Sequence, residues 1–422
     1  MVSLCEILLL NPPLVNYDVK QHVLLLDPSG SHLESLPPLG VCYIASMLEN
    51  AGHDARIVDM DNEKIGPHSL LPYLKKYEPK IVGLSATTST FYLVERIAET
   101  IKDYNEDIIV VLGGIHPTLL PEETLQSKSV DVVVRGEGEL TMVELASSIL
   151  RKKEELEKIL GISYRKGSKV IHNRERPLIK NLDQIPFPAR HLLKNEKYFV
   201  ALAKSNPTAA IMGSRGCPYN CIFCSQMFRT VRYRSAENIV DEIEHVINDF
   251  GISEIAFYDD TFNVNNKWVR QICEELIKRK VKVDWRCRCR VAPMDRKTLS
   301  LMRKAGCYMI SFGVEASSNR FLNFLKKGVT IEQVREAFRL SWSLGFETHV
   351  YFLVGIPGET GEDIARTIKF AKDLKPDFAS FFIPVPFPGT ELREMAIKNS
   401  WLKQRDNAFD EKGFFHTYGW YE

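Results

Sequence analysis

Three cysteines stand close together in one short segment of this 422-residue chain. The segment Gly216-Cys217-Pro218-Tyr219-Asn220-Cys221-Ile222-Phe223-Cys224 has the spacing CxxxCxxC. Three thiolates on one loop can each bind one iron of a cubane 4Fe-4S cluster, which leaves the fourth iron open to a substrate. A structural zinc normally has four ligands, and this loop supplies three. We therefore predict an iron–sulfur cluster on Cys217, Cys221 and Cys224, shielded by Phe223, with zinc as the alternative.

The remaining cysteines are predicted to be small buried side chains; they are Cys5, Cys42, Cys273, Cys287, Cys289 and Cys307. Cys287 and Cys289 share one side of a predicted strand. This arrangement leaves open a weak redox or acceptor role, or a fourth ligand to zinc. An odd cysteine count in a chain without a basic, apolar leader favours metal binding or catalysis over a disulfide framework.

The elements around the cysteine loop alternate between strands and helices. Strands are predicted at 209–213, 254–258, 282–286, 308–314, 347–354 and 378–384, and helices at 238–249, 267–280, 295–305, 331–344 and 361–374. Six such units predict a barrel or partial barrel over 196–395, whose chemistry lies at the carboxyl ends of its strands. The cysteine loop directly follows the first of these strands.

The first 150 residues alternate in the same way. Predicted strands are 6–10, 55–58, 80–84, 108–112 and 131–134, and predicted helices are 40–51, 70–77 and 93–104. Continuous apolar strands separated by helices are typical of a parallel sheet covered on both faces, with ligands at the carboxyl ends of the strands. Residues 151–195 are expected to form a connector, and 396–422 an aromatic tail that closes the barrel end or covers the site.

The charge balance excludes some classes of partner. Lys and Arg number 55 and Asp and Glu 54, so the net charge is +1. This balance argues against a bulk electrostatic grip on nucleic acid or on an anionic membrane. No apolar run is long enough for a transmembrane segment, and we predict a cytoplasmic location.

Beyond the cysteine loop, further motifs resemble radical S-adenosylmethionine enzymes. Tyr258-Asp259-Asp260-Thr261-Phe262 ends the second barrel strand, where that family holds the methionine amino group. By the same resemblance, Arg290 pairs with the methionine carboxylate and Gly313-Val314-Glu315 reaches the ribose. Gly355-Ile356-Pro357 lines the adenine. The implied site residues are Phe223, Asp259, Asp260, Thr261, Arg290, Gly313, Glu315, Gly355 and Pro357.

The loops of the first sheet resemble a cobalamin-binding domain. Ser85-Ala86-Thr87 and Gly113-Gly114 match two of its motifs, and the implied cofactor residues are Ser85, Thr87, Gly113, Gly114, His116, Gly136 and Glu137. The Asp-x-His-x-x-Gly motif is absent, so no histidine ligand to cobalt is visible, and His116 is either near the corrin or a structural residue. The alternative is a Rossmann-like sheet that binds nothing or a nucleotide, although no G-x-G-x-x-G opens its first helix.

Together the two resemblances imply an α/β chain with an N-terminal Rossmann-like cobalamin-binding parallel sheet followed by a partial (β/α)6 TIM-type barrel. The implied activity is that of a cobalamin-dependent radical enzyme. One S-adenosylmethionine would methylate the cobalamin and a second would give a 5′-deoxyadenosyl radical, with electrons from a donor such as flavodoxin or ferredoxin. Methylcobalamin would then methylate an unactivated carbon of a small molecule or lipid.

Two alternatives to methyl transfer remain. The same cofactors could drive a non-methylating step, such as cyclisation, ring rearrangement or carbon–carbon coupling. Alternatively, the chain could be a catalytically idle sensor, although the many motifs at the barrel mouth argue against this reading.

Overall fold

The computed structural model describes residues 5–14, 17, 34–151 and 155–402. The described residues divide into two units. The first contains the chain up to Lys180 together with 184–201, and the second contains Asn181–Asp183 and the chain from Leu202 onward.

The first unit is built on one sheet with helices between its strands. Its strands are β1 (Ile7–Asn11), β2 (Glu34–Ser35), β3 (Ala55–Asp59), β4 (Ile81–Ser85), β5 (Ile109–Gly113), β6 (Val132–Val134), β7 (Ile162–Lys166), β8 (Lys169–His172) and β9 (Phe199–Val200). Its helices are α1 (Leu39–Asn50), α2 (Leu71–Tyr77), α3 (Phe91–Tyr104), α4 (Ile115–Leu119), α5 (Pro121–Thr124) and α6 (Glu139–Leu150). The main sheet runs in the order β3-β1-β4-β5-β6-β7-β8.

Helices cover both faces of this sheet. Along β1, Leu8 and Leu10 pack into a core with residues of α2 and α3, whereas Ile7 and Leu9 pack into a second core with residues of α1 and α6. Successive strand side chains point to opposite faces, so a strand that is apolar throughout fits only between two helix layers. The predicted doubly covered parallel sheet is confirmed.

The first unit extends beyond residue 150, where we expected a connector over 151–195. Strands β7 and β8 form a hairpin that adds to the sheet edge, and β6 pairs with β7 in antiparallel fashion. The sequence signal was weak because Lys166, Gly167 and Lys169 make this hairpin polar. Its residues Ile162 and Tyr164 are nevertheless buried.

The second unit repeats the alternation with a longer period. Its strands are β10 (Thr208–Ile211), β11 (Ser214–Arg215), β12 (Arg232–Tyr233), β13 (Glu254–Phe257), β14 (Asp284–Cys289), β15 (Cys307–Glu315), β16 (Glu347–Leu353) and β17 (Phe378–Phe382). Its helices are α7 (Ala236–Phe250), α8 (Asn266–Arg279), α9 (Arg296–Lys304), α10 (Asn319–Phe324), α11 (Ile331–Ser343), α12 (Gly361–Leu374) and α13 (Glu391–Lys398).

The strands β10-β13-β14-β15-β16-β17 form one parallel sheet in sequence order. One continuous apolar core joins their outward side chains to α7, α8, α9, α11 and α12. A parallel sheet with a single helix layer on its outer face is the arrangement of a partial (β/α) barrel. The predicted fold class is therefore confirmed.

Strand β14 begins two residues later than predicted and extends to Cys289. As a result, Trp285, Cys287 and Cys289 lie on its helix-facing side within the apolar core. Burial raises the thiol pKa of Cys287 and of Cys289 well above the usual range. These two cysteines are therefore core residues, and they lie on the opposite side of the strand from Arg286 and Arg288.

No helix in the described part of the chain is long and apolar enough to cross a membrane. Of the predicted tail 396–422, only residues 396–402 are described, and its aromatic residues Phe414, Phe415, Tyr418, Trp420 and Tyr421 lie outside the described residues.

A buried carboxyl lies at the amino end of β13. Glu254 is fully buried, the Tyr308 hydroxyl donates to its Oε1 at 2.5 Å, and its Oε2 has no hydrogen-bond partner among the described residues. Burial raises the pKa of Glu254 to about 7, although the charges of Arg286 and Lys204 act in the opposite direction. The folded protein therefore favours the protonated carboxyl.

We predict that Glu254→Gln removes a pH-dependent loss of stability. The folded pKa of about 7 lies above the ordinary value of 4.5. The contribution of this carboxyl to folding is therefore highest below pH 4.5 and falls as the pH rises through 7, by up to roughly 3 kcal/mol. The amide stays neutral and keeps an acceptor for Tyr308. Anaerobic thermal denaturation should show a higher Tm for the variant than for the wild type at pH 8, with a smaller difference in Tm at pH 5.

Glu237→Gln, an exposed control on α7, should show the same difference in Tm from the wild type at both pH values. A pH-independent difference for Glu254→Gln would contradict the prediction.

Candidate functional site

The cysteine loop is the tip of a hairpin at the carboxyl end of the barrel strands. Strands β11 and β12 pair in antiparallel fashion, and residues 216–231 join them. Below the loop, Arg234 forms a buried ion pair with Glu242 and donates to the Met212 carbonyl at 3.1 Å. The base of the hairpin is thereby tied to the end of the first barrel strand and to α7.

Backbone contacts set the start and the middle of the loop. Gly216 has a φ of +100°, and a Cβ there would lie 2.5 Å from the Thr230 carbonyl oxygen, so a side chain does not fit. In the middle, buried Ile222 donates its N–H to the Leu325 carbonyl at 3.1 Å and accepts from the Leu392 N–H at 2.9 Å. The loop is therefore held by chain that follows β15 and by α13, neither of which sequence analysis connected to it.

Asp260 holds both ends of the loop. Its Oδ2 accepts from the Gly216 N–H at 3.1 Å and from the Gln226 side-chain amide at 3.1 Å. Gly216 precedes Cys217 and Gln226 lies two residues beyond Cys224, so one carboxylate oxygen spans the cysteine segment. Asp260 is exposed at this strand end.

The neighbouring Asp259 makes different contacts from Asp260, although the two were assigned to one motif from the sequence. Asp259 is only 2% exposed and accepts from the Ser214 hydroxyl and from the Gly213 N–H at 3.3 Å. Burial raises its pKa to about 6. Its contacts tie β13 to the base of the hairpin. The hydroxyl of buried Thr261, by contrast, lies 3.7 Å from the Cys217 sulfur.

Arg290 is packed against the cysteine loop. Its guanidinium lies 3.6 Å from the centroid of the Tyr219 ring, and its Nη1 is 3.8 Å from the Cys221 sulfur. Nη2 donates to the Lys327 carbonyl. Nε is buried and has no hydrogen-bond partner within the described ranges. A buried guanidinium beside a thiolate places a fixed positive charge where an anionic cluster or a carboxylate would be stabilised.

A buried ion pair lies at the end of β15. Lys327 Nζ is 2.8 Å from Glu315 Oε1, and both side chains are about nine-tenths buried. Glu315 has a φ of +75°, a backbone angle that residues other than glycine rarely adopt. Such strained residues cluster at functional sites. A Cβ on Gly313 would lie 2.6 Å from Glu315 Oε1 and 2.9 Å from Lys327 Nζ, so a side chain there would displace the ends of this ion pair.

The turn after β16 is held by a hydrogen bond to the side chain of Glu359, which lies within the turn. Gly355 has a φ of +80°, and the Ile356 N–H donates to Glu359 Oε2 at 2.8 Å. Pro357 is half-buried and Gly355 is exposed at this strand end. Burial raises the pKa of the Glu359 carboxyl. The turn offers backbone surface at the same end of the sheet as the cysteine loop.

The donor set fits a cubane cluster. The described residues contain no group of three His, Cys, Asp or Glu side chains that converge on a single metal ion. A cubane does not need such convergence, because each of the three thiolates binds a different iron. Cys217 and Cys221 are half-buried residues and Cys224 is an exposed one, so the segment lies at the protein surface.

In the first unit, hydrogen bonds join the loops that follow β4, β5 and β6. Ala86 donates its N–H to the Gly113 carbonyl at 2.8 Å. The Thr118 hydroxyl donates to the Gly114 carbonyl at 2.7 Å and accepts from the Gly136 N–H at 3.0 Å. The three strand ends therefore form one continuous polar surface, which sequence analysis described only as separate motifs.

Hydroxyls and open glycines line this surface. Thr87 is exposed, and its hydroxyl contacts that of Ser89 at 2.9 Å. Gly136 has a φ of +74° and open space where a Cβ would lie. Gly114, with a φ of +99°, is crowded instead, since a Cβ there would lie 2.6 Å from the Ala86 carbonyl and 3.1 Å from the Ser85 hydroxyl.

His116 and Glu137 are turned into the protein. His116 is 3% exposed, stacks on Phe91 at 3.9 Å between ring centroids, and lies 3.3 Å from the Thr88 hydroxyl. Glu137 accepts from the Ile179 N–H at 2.8 Å. Both contacts give these side chains a structural role in the loops.

We predict that Asp260→Ala loosens the cluster. Loss of the hydrogen bonds to Gly216 and Gln226 frees both ends of the loop, and we expect iron release to a chelator to accelerate roughly fivefold, because hydrogen bonds to a charged acceptor contribute the most. Iron release from the anaerobically reconstituted protein is followed by absorbance. Asp249→Ala, an exposed carboxylate at the end of α7, serves as the control. Equal release rates in the two variants would contradict the role of Asp260.

We also predict that Gly114→Ala lowers cobalamin binding by about tenfold or more, because the added methyl displaces the Ala86 backbone within the loop surface. Cobalamin uptake is measured by absorbance after gel filtration. Gly52→Ala is the matched control, since Gly52 has a φ of +84° but open space around it. A similar loss of binding in both variants would point to backbone strain alone and contradict the prediction.

Two family models match separate parts of this chain. The family model of the B12 binding domain matches residues 31–146, and that of the radical SAM superfamily matches 211–371. The solved structure of the radical S-adenosylmethionine methyltransferase TsrM from Kitasatospora setae, with cobalamin and a [4Fe-4S] cluster bound, aligns with a TM-score of 0.78. It is 19% identical, and the alignment covers 98% of this chain and 83% of that one.

Two curated relatives are similar over most of the chain. An uncharacterized methyltransferase of Pyrococcus horikoshii is 39% identical over 91% of this chain and 84% of its own length. An anaerobic magnesium-protoporphyrin IX monomethyl ester cyclase of Rubrivivax gelatinosus is 34% identical over 84% of this chain, which spans 65% of that protein. The chain therefore belongs to the cobalamin-dependent radical S-adenosylmethionine enzymes, as its motifs predicted.

Proposed function

We propose that the protein is a methyltransferase that acts on an unactivated carbon. Two findings together support this proposal. The chain matches both the B12 binding domain and the radical SAM superfamily, and it covers 84% of the length of a relative that is named as a methyltransferase. The cofactors are a 4Fe-4S cluster, S-adenosylmethionine and cobalamin, which when bound supply a hydrogen-abstracting radical and a transferable methyl group.

The overall reaction balances with two electrons. One turnover converts R–H, two S-adenosylmethionine and two electrons into R–CH3, S-adenosylhomocysteine, 5′-deoxyadenosine and methionine. The C–H bond of the substrate is replaced by a C–C bond to the methyl group, and the hydrogen atom leaves in 5′-deoxyadenosine. A reduced flavodoxin or ferredoxin is the proposed source of the electrons.

The chain's own residues bind and orient these groups. Cys217, Cys221 and Cys224 hold the cluster, with Phe223 beside them. Arg290, Asp260 and Thr261 adjoin the cysteine loop, where the polar end of S-adenosylmethionine would lie. Asp259 acts on them indirectly, through the base of the hairpin.

The residues proposed to contact the nucleoside of S-adenosylmethionine and the cobalamin lie at the ends of strands. Glu315, Gly313, Gly355 and Pro357 would face the nucleoside. Ser85, Thr87, Gly113, Gly114 and Gly136 would contact cobalamin, supported from within by His116 and Glu137. The lower face of the cobalt has no histidine assigned to it.

A small molecule or lipid is the proposed substrate. The cytoplasmic location and the absence of a nucleic-acid partner stay predictions from the sequence.

We predict that substrate turnover yields both adenosyl products in equal amounts. The protein is reconstituted anaerobically with iron, sulfide and cobalamin and reduced in the presence of S-adenosylmethionine and an extract of candidate substrates. Mass spectrometry should find 5′-deoxyadenosine and S-adenosylhomocysteine in a 1:1 ratio and a product heavier by one CH2. Product formation with 5′-deoxyadenosine alone and without this gain in mass would instead indicate the cyclisation or rearrangement suggested by the cyclase relative.

Two cysteine variants serve as controls for that assay. Cys217→Ala should lose 5′-deoxyadenosine formation by at least about a hundredfold, since one iron loses its ligand. Cys273→Ala removes a fully buried core thiol and should retain iron and activity. If neither the wild type nor either variant cleaves S-adenosylmethionine, the idle-sensor alternative holds.

A further inference from the structure

The inner face of the second sheet is the face opposite its helix layer. Along β14, Trp285, Cys287 and Cys289 belong to the helix-side core, so Arg286 and Arg288 point to the inner face. The same alternation places Tyr258, which follows β13, and His349 and Tyr351 of β16 on that face. The further inner-face residues used below are Ser311 of β15 and Ser380 and Phe382 of β17.

One register row across this face joins a guanidinium to an imidazole. Arg288 is the Cα partner of Ser311, and Ser311 is the Cα partner of His349. Neighbouring strands are about 4.8 Å apart, so Arg288 and His349 stand roughly 10 Å apart at their backbones. The residue between them in this row, Ser311, has a small side chain.

Aromatic and hydroxyl contacts hold these groups in place. The Arg288 guanidinium lies 4.3 Å from the centroid of the Tyr258 ring and donates to its hydroxyl at 3.0 Å. His349 lies 2.9 Å from the Ser380 hydroxyl and 4.4 Å from Tyr351 between ring centroids. Arg288 is nevertheless exposed, so a ligand can reach it.

The electrostatics around this row are positive. Burial first, and then the charges of Arg288 and Arg286, lower the pKa of His349 to about 4. The inner-face carboxylates Glu254, Asp284 and Glu347 are the first residues of β13, β14 and β16, at the opposite end of the sheet from the cysteine loop. With its pKa raised to about 7, Glu254 is only partly ionised near pH 7, and Asp284 pairs with Lys204 at 3.4 Å. Positive charge therefore dominates in the middle of the inner face.

We infer that Arg288, Arg286 and His349 form a binding site for an anionic group of the methyl acceptor, a carboxylate or a phosphonate. This inference rests on the proposed function and narrows its substrate to an organic anion. Two guanidinium groups supply charge-assisted hydrogen bonds, and the neutral imidazole supplies a further donor or acceptor. The Tyr351 and Phe382 rings, 6.0 Å apart between centroids, supply an apolar wall for the rest of the molecule.

The position of this site would let it hold one end of a substrate while the other end reaches toward the cysteine loop. Arg290, which touches a cluster-binding cysteine, follows Arg288 by two residues, or about 7 Å of extended chain. A substrate held by its anion at Arg288 would therefore extend toward the cysteine loop. Its reacting carbon would lie several ångströms from the charged end.

The test compares small aromatic probes that differ in charge. Benzoate, phenylphosphonate and neutral benzamide are titrated by calorimetry into the anaerobic, cofactor-loaded enzyme without turnover. We expect at least one of the two anions to bind about tenfold or more tightly than benzamide. The stronger of the two distinguishes a carboxylate from a phosphonate substrate. Equal binding of the anions and benzamide would overturn the inference.

Variants locate the effect. Arg288→Gln should abolish the preference for the anion, and Arg288→Lys should retain part of it. Arg339→Gln, an exposed arginine on α11 paired with Glu336, should leave it unchanged. Unchanged iron and cobalamin content checks that each variant is folded. An anion preference that survives Arg288→Gln would also overturn the inference.

The two proposals can fail separately. Loss of the anion preference leaves the 1:1 ratio of adenosyl products untouched. An absence of S-adenosylhomocysteine with intact anion binding refutes methyl transfer alone.

Discussion

The carboxylate of Asp260, which accepts hydrogen bonds from both flanks of the cysteine loop, is the contact on which the proposed chemistry of the second unit depends. Backbone hydrogen bonds within the cysteine loop, such as that from the Cys217 N–H to the Phe228 carbonyl, are supplemented by contacts from its surroundings. Those surroundings are the ends of parallel strands, where Thr261 and Arg290 also approach the sulfurs. The ends of the barrel strands therefore hold the loop in place.

In the first unit, hydrogen bonds between neighbouring loops hold the proposed cofactor-binding surface in place. Its polar surface is built from three loops joined through Ala86 and Thr118, and crowded Gly114 keeps them close. The only nearby histidine that the motifs singled out, His116, is stacked against Phe91. A surface of hydroxyls and backbone amides suits a large, amide-rich cofactor that is held by many weak contacts.

Sequence analysis predicted the elements whose signals are local. The cysteine spacing and the continuous apolar strands required only neighbouring residues. It missed contacts between distant segments, such as the pairing of Lys327 with Glu315 and the support of Ile222 by Leu392. It also treated Asp259 and Asp260 as equivalent, because the direction in which each carboxylate points depends on the fold of the hairpin.

The strand β14 was one case where a sequence signal was present but was interpreted differently. Trp285, Cys287 and Cys289 alternate with Arg286 and Arg288, a period of two that predicts one buried and one open face. From the sequence, Cys287 and Cys289 were expected on one side of a strand, but the predicted range of that strand ended at Arg286. In the structure the alternation continues through Cys289.

The same alternation separates two kinds of evolutionary change. Replacing a helix-side residue such as Trp285 or Cys287 disturbs the apolar core, whereas replacing Arg288 or Ser311 alters only what the open side can hold. A descendant of this chain can therefore acquire a new methyl acceptor through a few inward substitutions without rebuilding its scaffold. Relatives with a common architecture and unlike reactions are the expected outcome of such a division.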